Sequence, residues 1–314
     1  MQKKLIAVAG PTAAGKTRMG IELAKKLSGE IVSADSMQIY RHMDIGTAKA
    51  TAEERAQVPH HMLDVAGPDE DYSVARYVQE ASVCCEDIVS RGRLPIVTGG
   101  TGLYIDSLIS GTDFARRQED DDSLREGLLE EYDRIGGEEM LRKLSEVDPE
   151  RAQKLSAGDR RRICRALEIY KLTGITATEH DRRSRALPEA WEAKYIVLNY
   201  ADRAELYEHI ERRVDIMIEE GLFDEVKSLL SMGLSPSCTA MQAIGYKESA
   251  AALRGEISFD EAVRLIKQSS RRYAKRQLTW FRRRKDAFWI NWDSRTDFEK
   301  GLEMALDYIG SFGK

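Results

Sequence analysis

Leu5-Ile6-Ala7-Val8-Ala9-Gly10-Pro11-Thr12-Ala13-Ala14-Gly15-Lys16-Thr17 is the stretch on which the fold turns. An apolar, strand-like run leads directly into G-x-x-x-x-G-K-[ST], and the following Arg18–Leu27 has helical spacing. That strand, loop and helix context is what makes the motif credible as a phosphate-binding loop. Its glycines let the backbone wrap an anion with N–H groups pointing inward. Lys16 adds a point charge, Thr17 offers a hydroxyl to magnesium, and the helix N-terminus adds a partial positive charge. The expected ligand is a di- or triphosphate.

Further short apolar runs punctuated by glycine occur at Glu30–Ala34, Leu94–Thr98, Tyr195–Asn199 and Phe288–Trp292, with helical patterns between them. Strands alternating with helices predict an α/β fold, a doubly wound and mostly parallel sheet with helices on both faces. The interval from Ala115 to Leu187 breaks the rhythm: it is rich in charge, helical in spacing and contains no convincing strand. It is read as an inserted all-helical domain, residues 115–187, within a P-loop catalytic core formed by residues 1–114 and 188–314.

The chain has 314 residues, 42% of them hydrophobic, enough for one full core and a smaller second unit. It contains no apolar run of about 20 residues and its start leads directly into a strand, so a cytoplasmic, membrane-free protein is expected. Cys84, Cys85, Cys164 and Cys238 show no zinc-like spacing and read as reduced thiols. The net charge of -5 hides a strong segregation. Residues 119–139 hold ten acidic and two basic side chains, residues 151–185 ten basic and four acidic, and residues 264–285 ten basic and no acidic. The two basic stretches are candidate surfaces for a nucleic-acid backbone.

A P-loop that handles phosphoryl groups usually has a strand ending in a magnesium-binding aspartate. Here the third strand ends in Thr98-Gly99-Gly100-Thr101-Gly102, without a carboxylate. An aspartate does follow the second strand, in Ser33-Ala34-Asp35-Ser36-Met37-Gln38, and the carboxyl ends of parallel strands face the ligand crevice. Asp35 is a general base, a magnesium-shell residue or a helix N-cap. Thr101 presents its hydroxyl either to the crevice or to a helix end. His60 and His61 lack partners at metal spacing and are read as packing or hydrogen-bonded residues. In Asp159-Arg160-Arg161-Arg162-Ile163 several arginines fall on adjacent helix faces, suited to phosphate recognition or to solvent. In the segment 271–285 aromatics interleave with basic residues, and Ile266, Tyr273, Ala274, Leu278 and Phe281 fall on a core-facing stripe.

Beyond the P-loop, the chain carries Asp35-Ser36-Met37-Gln38-Ile39-Tyr40-Arg41, Met43-Asp44-Ile45-Gly46-Thr47-Ala48-Lys49, Pro59-His60-His61, Gly99-Gly100-Thr101-Gly102-Leu103-Tyr104, Ile244-Gly245-Tyr246 and Lys275-Arg276-Gln277-Leu278-Thr279-Trp280-Phe281-Arg282. With these, nearly the whole chain resembles the bacterial tRNA dimethylallyltransferases. The resemblance implies dimethylallyl diphosphate, with magnesium, on the P-loop, and as acceptor N6 of the adenine 3′ of the tRNA anticodon. It implies Asp35 as base, with Thr101 as its neighbour and Lys16 in the catalytic set. Ser36, Met37 and Gln38 join Asp35 and Thr101 as tRNA contacts, as do residues Asp159 to Ile163, and Arg213 lies near the donor diphosphate. A monomer is expected. The competing readings are a P-loop small-molecule kinase and an NTP-gated RNA-binding module.

Overall fold

The computed structural model describes residues 3–112, 122–186, 188–293 and 297–313. Six strands form one sheet: β1 (Lys3–Ala9), β2 (Gly29–Ser33), β3 (His60–His61), β4 (Leu94–Gly99), β5 (Trp191–Tyr200) and β6 (Phe288–Trp292). Their spatial order is β3-β2-β4-β1-β5-β6 and every pairing is parallel. The chain moves to one side of β1 for β2 to β4 and to the other for β5 and β6. The crevice beyond the carboxyl end of β1 is therefore the switch point at which such sheets bind ligands. β3 is the strand the sequence did not announce, because two residues are too few to show an alternation.

Helices α1 (Lys16–Leu27), α2 (Ala52–Arg55), α3 (Val74–Ser90) and α4 (Gly102–Ser110) follow the first four strands in turn. Side chains alternate across a strand, so Ile6 and Val8 of β1 pack toward α1 and α14 (Phe298–Ile309). The opposite face of the sheet is covered by α3 and α4. The sheet interior is dry, with Leu5, Ile6, Ala7, Val8, Ile96 and Val97 fully buried. This is the pattern that makes a parallel strand read as a continuous apolar run.

Between β5 and β6 the chain is helical: α10 (Arg203–Glu219), α11 (Leu222–Ser231), α12 (Tyr246–Leu253) and the long α13 (Phe259–Phe281). Ile39, Tyr40 and Met43, from the turn after β2, pack with Val214, Leu222, Tyr246 and Ile266 in one apolar cluster. That docking fixes the segment carrying Asp35. It is reinforced by Glu225, whose carboxylate accepts from the backbone N–H groups of Asp44 and Ile45, both at 2.8 Å, and from the Tyr246 hydroxyl at 2.6 Å.

Backbone contacts divide the chain into two compact units, Met1–Gly111 with Ala190–Lys314, and Thr112–Glu189. The second holds α5 (Asp122–Ile135), α6 (Gly137–Val147), α7 (Pro149–Ala152), α8 (Arg160–Thr173) and α9 (Ala177–Ala186) around Leu128, Met140, Leu144, Ile163 and Leu167. The boundaries expected at Ala115 and Leu187 lie outside the described residues, as do 119–121 of the acidic block.

Glu30 is a carboxylate inside the sheet, its side chain 2% exposed. It accepts two hydrogen bonds from Arg91, one of them at 2.9 Å, and one from His61 at 2.7 Å. The Arg91 bonds are the main reason that its pKa falls from the ordinary 4.5 to about 2. A depressed carboxylate contributes stability that is complete above 4.5 and disappears as the pH falls through about 2. Glu30→Gln is therefore expected to cost about 2 kcal/mol at pH 7, reduced from the full coupling because Arg91 is partly solvated. Urea denaturation across pH should show that deficit shrinking as wild type and variant are taken from 4.5 toward 2, and a deficit independent of pH would contradict the assignment.

Candidate active site

The loop between β1 and α1 has the geometry of an anion cradle. Gly15 precedes α1 in the left-handed region, at φ 83°, which glycine adopts without strain. No side chain caps α1 and no acidic residue stands in its first turn, so the N–H groups there are available to a ligand. Ala13, within the loop, also has a positive φ of 63°. Lys16 donates to the carbonyl of Pro11 at 2.7 Å, folding its ammonium back over the loop. Burial lowers its pKa to about 8, partly offset by the charge of Asp35 and reinforced by the charge of Arg213. Those causes place a cation pair and a carboxylate in one electrostatic neighbourhood.

Asp35 follows β2 in a turn, not at the head of a helix, so it is not a helix cap. Its Oδ1 accepts from the N–H of Met37 at 2.9 Å, an Asx-type turn that fixes the carboxylate. Thr101 precedes α4, yet its hydroxyl makes no cap bond. Instead its oxygen accepts from the N–H of Ser36 at 3.0 Å and faces the Ser36 hydroxyl at 3.3 Å, which ties the end of β4 to the turn after β2. Gln38 donates to the carbonyls of Thr47 at 3.1 Å and Ala48 at 3.2 Å and accepts from Ser33 at 3.1 Å. Reading an adenine edge with both amide atoms would require those bonds to break.

The remaining walls come from α10 and α13. Arg213 is largely buried and its Nε has no hydrogen-bond partner among the described residues. Burial is the first cause lowering its pKa. An arginine held in that condition is a ready partner for an anion. On α13, Gln277 is 5% exposed and bridges two loops: it accepts from the N–H of Thr12 at 3.1 Å and donates to the carbonyl of Gly100 at 2.9 Å. A Cβ on Gly100 would stand 2.3 Å from its Nε2, so the glycine is needed for the approach. Tyr273, one turn earlier, is not the core residue its spacing suggested. It lines the cavity beside Asp35 and Thr101. Gln277 escapes the sequence reading because an amide inside a basic helix reads as surface, and Tyr273 because its spacing puts it on the core-facing stripe.

Together these groups surround a cavity of about 680 Å³ lined by Thr12 to Thr17, Asp35 to Gln38, Arg213, Tyr273 and Gln277, with Ile210, Val214, Met217 and Ile266 as apolar wall. One side is suited to a diphosphate, another is apolar, and a fixed carboxylate stands between them. Thr17, the hydroxyl expected from its motif to meet a metal ion, lines this cavity. Among the described residues no cluster of three or more His, Cys, Asp or Glu could hold a metal ion. The chemistry of this lining, with the Thr17 hydroxyl and no clustered carboxylates among the described residues, would suit a magnesium ion only if it arrived with the phosphate groups of a ligand.

The segment Asp159 to Ile163 lies in the helical unit and divides by role. Ile163 is fully buried, so its side chain packs that unit's core instead of meeting RNA. Arg160 pairs bidentately with Asp133, one bond at 2.8 Å, and Asp159 accepts from Ser156 at 2.9 Å. Arg161 and Arg162 remain exposed. On α13, Arg272, Lys275 and Arg276 are exposed, and Arg282 and Arg283 continue the basic face. No helix among the described residues is long and apolar enough to cross a membrane.

Comparison with known proteins gives the family. A family profile described as IPP transferase matches residues 38–284, and one described as isopentenyl transferase matches residues 3–66. The tRNA dimethylallyltransferase of Acetivibrio thermocellus is 45% identical over 310 residues, covering 98% of each chain, and that of Caldanaerobacter subterraneus is 45% identical over 314 residues with the same coverage. Among solved structures, the full-length tRNA isopentenylpyrophosphate transferase of Bacillus halodurans superposes with a TM-score of 0.72 at 42% identity, covering 98% of this chain and 95% of that one. A eukaryotic dimethylallyltransferase acting on tRNA gives a TM-score of 0.82 at 28% identity, covering 97% of this chain and 78% of that one. With a family profile spanning residues 38–284 and relatives 45% identical over 98% of the chain, the chain belongs to the tRNA dimethylallyltransferase (IPP transferase) family.

Proposed function

We propose that the chain transfers the dimethylallyl group of dimethylallyl diphosphate to N6 of the adenine immediately 3′ of the anticodon in tRNA, releasing diphosphate. The observation that carries this is the convergence of Lys16, Arg213 and Asp35 on one cavity, with the charge of Asp35 and that of Arg213 both acting on Lys16. The P-loop N–H groups, Lys16 and Arg213 hold the diphosphate, and the apolar wall receives the five-carbon chain. Thr17 would be the residue to hold a magnesium ion brought in with the donor, which would supply charge neutralisation for the diphosphate.

The acceptor amine is buried in the helical stack, so the adenine must leave it to enter the cavity. N6 then attacks the first carbon of the allyl group, the bond from that carbon to the diphosphate oxygen breaks, and Asp35 takes the proton that N6 sheds. Lys16 and Arg213 stabilise the charge collecting on the departing diphosphate. The P-loop acts as a clamp for a leaving group, which is consistent with β4 ending in glycines and a threonine where a phosphoryl-transfer enzyme usually places a metal-binding aspartate. Incubation of the protein with labelled dimethylallyl diphosphate, labelled ATP and bulk tRNA is the direct test. Prenyl label in RNA is expected; phosphoryl label leaving ATP for a small molecule would favour the kinase reading instead.

The protein is read as a cytoplasmic monomer that contacts the anticodon stem-loop, its exposed arginines meeting phosphates. Because Arg160 is engaged with Asp133, the triple variant Arg160→Gln, Arg161→Gln, Arg162→Gln removes one or two phosphate contacts and not three. Each lost contact makes the slope of log affinity against log salt shallower by roughly 0.7–0.9. A slope change of about one to two units in tRNA binding is therefore expected, with donor affinity unchanged. An unaltered slope would return α8 to the status of a solvated helix face.

A further inference from the structure

Gln277 has no part in the mechanism above, yet its amide is the middle link of a chain of hydrogen bonds between two groups that do. The chain starts at Lys16, whose ammonium donates to the Pro11 carbonyl at 2.7 Å. That carbonyl shares a peptide plane with the N–H of Thr12, which donates to Gln277 Oε1 at 3.1 Å. From the other end of the amide, Gln277 Nε2 donates to the Gly100 carbonyl at 2.9 Å. The N–H of that same peptide unit belongs to Thr101 and donates to the carbonyl of Ala34, one residue before Asp35, at 3.1 Å. Both peptides are trans, so each is a rigid plate whose C=O and N–H point in opposite directions. Lys16 and the Asp35 turn are thus joined through three planar amides in series. The orientation of the middle one is fixed: a backbone N–H only donates and a backbone carbonyl only accepts, so Oε1 must face Thr12 and Nε2 must face Gly100. The amide is presented from near the end of α13, where Ala274, Leu278 and Phe281 are buried around it and the Trp280 indole donates to Asp106 at 2.6 Å.

We propose that Gln277 is a positioning residue for prenyl transfer: its amide is the spacer that sets the distance between the Lys16 ammonium, at the leaving diphosphate, and the Asp35 carboxylate, at the acceptor amine. The proposal rests on the functional reading above. Transfer requires charge to be stabilised on one side of the reacting carbon while a proton is taken on the other, so the two groups must keep one spacing. An ammonium has three N–H donors, so Lys16 can keep its bond to Pro11 while it reaches the diphosphate. A glutamine suits the middle position because it donates and accepts at once and brings no charge to the diphosphate side. Misplacement of a reacting pair by about 1 Å can cost 10²-fold. With Asp35 still held by the Met37 N–H, loss of the spacer alone costs less than that.

The test is a double-mutant cycle with Gln277→Met and Lys16→Ala, read by single-turnover prenylation of tRNA and by separate titrations of dimethylallyl diphosphate and tRNA. Gln277→Met keeps the length of the side chain and removes both of its bonds. At saturating substrates it is expected to slow the chemical step about tenfold, with both affinities within about threefold of wild type. In the Lys16→Ala background the same change is expected to slow the reaction by less than about twofold, because a spacer has nothing left to hold once one of its ends is gone. Gln277→Glu keeps an acceptor for Thr12 but sets an oxygen against the Gly100 carbonyl, and is expected to be at least as slow as Gln277→Met. A tenfold loss that persists undiminished without Lys16, a loss confined to affinity, or a Gln277→Met or Gln277→Glu enzyme as fast as wild type overturns the positioning role and leaves the prenyl-transfer reading standing. A wild-type enzyme that moves no prenyl label to tRNA overturns that reading and the positioning role together.

Discussion

Asp35→Asn is expected to slow single-turnover prenyl transfer by about 10²–10⁴-fold, the range for losing a general base. The substitution preserves shape, and the amide oxygen can still accept the Met37 N–H that anchors the turn, so the fold of the segment is not at stake. What disappears is the acceptor for the proton that N6 sheds as the new carbon–nitrogen bond forms. Donor binding is expected to survive, since the diphosphate meets cations on the other wall of the cavity. One side effect has a definite sign. The charge of Asp35 raises the pKa of Lys16, so the variant's lysine gives up its proton more easily. Comparison at or below pH 7 therefore isolates the chemical step. A variant within threefold of wild type there would reduce Asp35 to a turn-forming residue.

Lys16→Ala is expected to weaken donor binding and slow transfer together, with the larger effect on the rate. The ammonium interacts with the bound diphosphate, and more strongly with the oxygen that gains charge as the bond to carbon breaks. Loss of one such group in a water-poor site costs about 10²–10³-fold in turnover. Arg213 shares the load, so affinity is expected to fall without vanishing. Titration calorimetry with dimethylallyl diphosphate and single-turnover rates check both halves. Normal affinity combined with normal catalysis would show that the loop does not hold the donor.

β1 and β4 were legible because each is a run of buried, mostly β-branched or aliphatic residues closed by glycine, Leu5 to Gly10 and Leu94 to Gly99. β3 was not, since His60 and His61 are strand residues only by virtue of pairing with Ile31 and Val32. Lys16 and Thr17 were placed by their motif, and Asp35 by its position after an apolar run. Arg213 depended on resemblance, because nothing local distinguishes it from Arg212, which is exposed and pairs with Glu208 at 3.4 Å. Gln277 and Glu225 act on partners far away in sequence. Gln277 meets Thr12 across 265 positions, and Glu225 meets Asp44 across 181. Periodicity can state which face of a helix a residue occupies; it does not state what faces it.

Those long separations bear on how the protein is made. The P-loop is made long before its partners: Gln277, which holds Thr12, follows it by 265 positions, and Trp292, whose indole donates to the Ala14 carbonyl at 3.0 Å, follows Ala14 by 278. β1 likewise waits for Trp191–Tyr200 before its second edge is paired. Chains interrupted before Gln277 carry the whole P-loop motif and lack both side chains that hold it. The loop thus takes its native contacts only after both of these distant partners have emerged.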